Sequence, residues 1–151
     1  MAALTKVGWV ASVLVGIAFI VLGVVFIVLS NGAKDEIRTA MIAEDVTTGD
    51  DASIPNALVQ DVETARAEEA VLTEHTRGCN GPYTSMDRED PNRESYLKGL
   101  TLRNSLNLSI MGFGVADLAL GVGVVAILMG ASTMLLTSTA LYAVRRLSSI
   151  N

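Results

Sequence analysis

The chain has a single cysteine, Cys79, and a single histidine, His75, among 151 residues. One cysteine excludes an internal disulfide. With one histidine beside it, a transition-metal site built from the usual nitrogen and sulfur donors is hard to complete within the chain. There is also no serine or cysteine nucleophile signature, no phosphate-cradling glycine loop and no zinc-ligand spacing. The common routes to catalysis thus find no support, and the expectation is a protein that is not an enzyme and needs no cofactor.

Charge is missing from two long stretches. Val7 to Ser30 carries none, and Leu106 to Val144 carries only Asp117. Each exceeds the roughly 20 apolar residues that span a hydrocarbon core of about 30 Å. The net charge of −5 hides a segregation, since residues 31–105 hold fifteen acids against eight bases while Lys6, Arg145, Arg146 and Asp117 lie outside. Basic residues flanking short apolar spans favour the cytoplasm. Both termini are therefore expected inside a bacterial plasma membrane, with the acidic segment outside. A surface of that sign suits neither nucleic acid nor anionic lipid. A cleaved signal peptide is disfavoured, because the first apolar stretch exceeds a signal h-region and Asn31 spoils the small-residue site after it.

The expected fold is an all-α membrane protein, two transmembrane helices in an antiparallel hairpin with a helical acidic extracytoplasmic segment. Its parts are a cytoplasmic N-terminus (1–6), a first span (7–30), the outer segment (31–105), a long second span (106–144) and a cytoplasmic C-terminus (145–151). The second stretch would reach about 58 Å as one helix at ~1.5 Å per residue, nearly twice the hydrocarbon thickness. Either the helix projects beyond the bilayer or it bends near Gly130-Ala131-Ser132.

Within the outer segment, residues 35–44 can prolong the first helix, with Ile37, Met41 and Ile42 at one-turn spacing. Residues 47–51 read as a loop. Ser53 and Pro55 suggest a helix start, and Leu58, Val62, Ala65 and Leu72 form an apolar stripe through a charged helix ending near Thr76, stopped by Gly78 and Gly81-Pro82. Asp90 as N-cap and Pro91 at the first helical position open the last helix, which then runs without a breaker into the membrane.

Eight of the thirteen glycines lie in the apolar stretches. Gly16 and Gly23, Gly114 and Gly121, and Gly123 and Gly130 are each seven apart, the spacing of one seam in a left-handed helix pair. Gly112 with Ala116, and Ala119 with Gly123, offer a second small face for another subunit. Asp117 is the costly residue. With a membrane edge near Leu106 it lies close to the midplane, where a charge costs about 2.5–3.5 kcal/mol, and the first span has no Lys, Arg or His to meet it. With a span ending at Arg145 it sits at the outer interface. The acids Asp87, Glu89, Asp90 and Glu94 lack calcium-loop spacing and are interleaved with Arg88 and Arg93, so a capped, solvated face is expected there. His75, on a polar helix, reads as a surface residue, and Cys79 as a tolerated thiol or an intermolecular bridge.

His75-Thr76, Gly81-Pro82-Tyr83, the run Met86 to Arg93, Leu102-Arg103 and Phe113-Gly114-Val115-Ala116 resemble a family of small two-span actinobacterial membrane proteins. Its members share an acidic outer loop, a Tyr then Asp-Pro before the second helix, and a Phe-Gly-Val-Ala patch within it. They often carry the label of aromatic ring-opening dioxygenases, which implies an iron site that these residues do not furnish. The likeness covers about residues 35–130, and the tail 131–151 and Asp117 depart from the pattern. The expected role is a non-catalytic accessory subunit packed beside larger integral membrane subunits and lipid, capping the complex on its outer face. A membrane oxidoreductase is one candidate class of partner. A proton-path component using Asp117, and a membrane-tethered ligand-binding module, are the alternatives.

Overall fold

The structure, a computed structural model, describes residues 2–80 and 82–148. Among the described residues there are three α-helices, α1 (Ala2–Ala43), α2 (Val62–Asn80) and α3 (Arg93–Ser148), with one 3₁₀ turn at Tyr83–Ser85. Among the described residues there is no strand, only an isolated bridge between Thr47 and Leu58. By length and composition α1 and α3 could each cross a membrane. The chain divides into two compact units, Met1–Asn31 with Asp117–Asn151, and Gly32–Ala116.

In the first unit, α1 and α3 meet along a glycine seam. A Cβ on Gly16 would stand 2.9 Å from the Gly130 carbonyl oxygen, and one on Gly123 would stand 2.7 Å from that of Gly23. Gly16 thus faces Gly130 while Gly23 faces Gly123, so the two stretches run in opposite directions. Ile20 and Ile27 close over the opposing glycines, and Ile127 and Met134 do so from the other side. Backbones this close gain dispersion contacts and leave no room for a side chain. Large apolar residues elsewhere in the unit, such as Leu14, Val21, Leu128 and Leu135, are exposed. α3 is helical without interruption through 130–132; Gly130 is used for contact.

The second unit is built on a core of Met41, Val59, Ala65, Leu106 and Phe113, with Ile37, Val62, Leu72, Leu102 and Ile110 packed around it. The stripe on α2 is therefore covered by α1 and α3 of the same unit. The core takes Val59, 1% exposed, from the loop before α2, and Leu58 stands only part-buried beside it. α2 lies so close to α3 at Gly99 that a Cβ there would meet Thr76 Cγ2 at 2.5 Å. Leu106 to Ala116, assigned from sequence to the second span, belong to this unit.

α1 ends where Asp45 takes a left-handed backbone, φ 49°. The following loop is tied by Thr48, 2% exposed. Its Oγ1 donates to the Ile54 carbonyl (2.5 Å) and accepts from the Ala57 N–H (2.9 Å). Ser53 and Pro55 do not start a helix. Pro55 precedes Asn56, whose φ of 53° cannot continue into one and matches the third position of a type II turn. The helix begins instead after Asp61, whose Oδ1 accepts the Thr64 N–H at 2.9 Å while Thr64 Oγ1 accepts the Asp61 N–H at 3.2 Å. This reciprocal pair is a capping box with Thr in the place of Glu. α2 then runs past Thr76 and Gly78 to Asn80; Gly81 lies outside the described residues.

Candidate functional site

The glycines sort differently from their spacing. Gly16, Gly23, Gly123 and Gly130 form the seam, but nothing stands within 4 Å of Gly114 or Gly121. Both lie on the exposed side of α3. The expected second small face is not free either. Gly112 is covered by Ile37, Ala116 is 4% exposed and Gly123 is in the seam. The reason is angular: three glycine pairs share one period, but 114 and 121 are rotated away from the row containing 116, 123 and 130.

The seam also sets a level for Asp117. Carrying the Gly16–Gly130 and Gly23–Gly123 register outward brings Asp117 beside Leu29, the last large apolar residue of the α1 run. The carboxylate side chain is on the exposed side of α3. Asp117 takes part in a polar or electrostatic interaction within the chain, so the expectation that it lacks an internal partner is corrected.

At the start of α3 the helix begins at Arg93, two residues later than Pro91. Asp90 Oδ1 accepts the Asn92 N–H at 2.8 Å and the Asp90 carbonyl accepts the Arg93 N–H at 3.0 Å, forming a turn ahead of the helix. The first α-type bond runs from the Tyr96 N–H to the Asn92 carbonyl, 2.9 Å. The guanidinium of Arg93 lies 4.5 Å above the Tyr83 ring and donates to its hydroxyl, and the Tyr83 ring stacks on Tyr96 at 6.1 Å. Tyr96 is buried and Tyr83 exposed. A cation over an aromatic face holds both side chains in one geometry.

The nearby acids do not converge. Glu94 pairs with Lys98 at 2.8 Å, and among the described residues no three His, Cys, Asp or Glu side chains gather as a metal site. His75 Nε2 meets Asp51 at 2.9 Å with both side chains more than half exposed. The side chain of Cys79 lies outside the described part.

Two buried polar features escape sequence reading. Glu68, 7% exposed, accepts the Gly49 N–H at 2.9 Å and holds the loop to α2. Beside it Glu69 Oε1 accepts from Thr73 at 2.8 Å and from Asn107 at 3.4 Å, with Arg103 Nε at 4.0 Å. Arg103 Nη1 is buried without a hydrogen-bond partner. On a helix as charged as α2, pattern alone does not separate these acids from solvated ones. No protein-family model matches the chain, and neither does any curated protein or solved structure.

Proposed function

We propose that the chain is a non-catalytic accessory subunit of a larger integral membrane complex. In this reading α1 and α3 cross a bacterial plasma membrane as an antiparallel hairpin, with both termini cytoplasmic and residues 31–105 outside, and the likeness to the small two-span family belongs to the same proposal. The exposed apolar surface of the first unit supports a lipid setting. Trp9 and Tyr142, 46% and 68% exposed, stand near the basic flanks of α1 and α3, where aromatic side chains suit a membrane interface. The level of Asp117 with Leu29 favours the outer interface in this reading, where a carboxylate stays hydrated.

The observation that carries the accessory role is the Tyr83–Arg93 pair on the outer unit. Tyr and Arg are the residue types that dominate binding hot spots, and a pair already ordered loses little entropy on docking. Purification of the full chain from its native membrane in mild detergent is expected to recover larger subunits in fixed stoichiometry. Replacing Tyr83→Ala together with Arg93→Ala is expected to cut that recovery about tenfold, the effect of ~1.4 kcal/mol. Recovery of the chain alone, with ordinary stability, would overturn the proposal.

A further inference from the structure

The seam of the first unit fixes levels as well as contacts. Gly16 faces Gly130 and Gly23 faces Gly123, so on this antiparallel pair Trp9 is level with Thr137, and Lys6 with Ala140. From the Trp9 level to that of Leu29 and Asp117 the helices rise about 30 Å at ~1.5 Å per residue, which is the thickness of a hydrocarbon core. No charged residue lies between these two levels on either helix. Beyond Trp9 both helices continue, since α1 begins at Ala2 and α3 stays helical to Ser148. The charged residues there are Lys6, Arg145 and Arg146, and residues 1–30 and 118–151 hold no Asp or Glu. The side-chain charge at this end of the unit is therefore of one sign.

We infer that this basic end of the helix pair binds anionic phospholipid headgroups, with Lys6, Arg145 and Arg146 as the cationic contacts. With the hydrocarbon edge at Trp9, Lys6 stands about 5 Å beyond it and the two arginines about 12–14 Å beyond, against a headgroup layer about 5–8 Å deep on each side. Side chains of a helix tilt toward its N-terminus, which on α3 is the direction back to the membrane. The long side chain of Arg146, which is exposed, thus closes the remaining gap. Tyr142, 68% exposed, lies between Lys6 and the arginines in level and suits the same layer. A zwitterionic headgroup offers the same phosphate but cancels its charge, so the basic end selects by net headgroup charge. Each base near a membrane surface favours the anionic lipid by about fivefold. The inference rests on the membrane reading above and is independent of the accessory role.

Trp9 is the single tryptophan of the chain and lies at the level in question, 46% exposed, so its fluorescence is the readout. The full chain is reconstituted in nanodiscs of phosphatidylcholine into which phosphatidylglycerol or more phosphatidylcholine, brominated high on the acyl chain, is titrated as quencher. Both leaflets then have one composition, and the orientation of the chain does not matter. Brominated phosphatidylglycerol is expected to occupy the site beside Trp9 about tenfold or more in preference to brominated phosphatidylcholine, a preference that falls as salt is raised. Lys6→Gln, Arg145→Gln and Arg146→Gln together are expected to bring the ratio near one, and Arg146→Gln alone to lower it several-fold. Equal quenching by the two lipids, or a ratio unchanged in these variants, overturns the inference and leaves the membrane reading standing. Absence of quenching by either lipid overturns both.

Discussion

Asp61 shows how one side chain sets the start of α2. Its carboxyl is held below the usual value of 3.8, chiefly by the hydrogen bond from the Thr64 backbone N–H, opposed by burial and aided by the Thr64 hydroxyl. A depressed folded-state value means that this stabilisation is complete above the ordinary carboxylate range and is lost as pH falls through the folded value. Asp61→Ala is expected to cost about 1 kcal/mol at neutral pH. In denaturant titrations the gap between variant and parent should close at strongly acidic pH, and a gap unchanged there would contradict the cap. Arg103 makes the opposite case. Its Nη1 is buried and unpaired, with only a 4.0 Å approach of Nε to Glu69. Replacing it by an apolar side chain of similar length removes a buried donor that no acceptor satisfies, and gives up only a long pair whose Glu69 stays bonded to Thr73 and Asn107. Arg103→Met is therefore expected to leave the melting temperature unchanged or raised, and a large fall would show that the guanidinium stabilises the fold.

At the scale of elements, the α1–α3 contact depends on the absence of side chains. A Cβ at Gly23 would run into the Gly123 carbonyl oxygen, a backbone atom that cannot swing aside. Gly23→Ala is expected to destabilise by about 1–3 kcal/mol, the usual range for overpacking. Gly32→Ala, on the same helix with nothing within 4 Å, is expected to gain up to ~1 kcal/mol from helix propensity. Thermal melts in detergent compare the two, and equal effects would show that the seam is not tightly packed.

For the whole molecule, the apolar exposure of the first unit makes one demand that water cannot meet. Leu14, Val28, Leu128 and Leu136 are each more than 60% exposed, and contiguous apolar surface on that scale marks a membrane or protein contact. The full chain is expected to stay in the membrane pellet through an alkaline wash, and release into the supernatant would remove the basis of the membrane reading. The second unit also leaves Leu108, Met111 and Val115 exposed.

Sequence alone determined the features that depend on neighbours along the chain. The all-helical class, the two long apolar helices, the extension of α1 beyond residue 30 and the unbroken run of the last helix follow from hydropathy and from missing helix breakers. Even the misplaced start at Ser53 and Pro55 had its answer in local chemistry, in Asp61 and Thr64. Tertiary structure decided what depends on rotation and depth. Three glycine pairs share a seven-residue spacing, and only packing shows that 16, 23, 123 and 130 face one another while 114 and 121 do not. The core of the second unit likewise claims Leu106 and Phe113 from an apolar run that looked uniform. A helix repeats its faces at a period that several rows of one sequence can satisfy, so the choice among rows is made by the surface that packs against it.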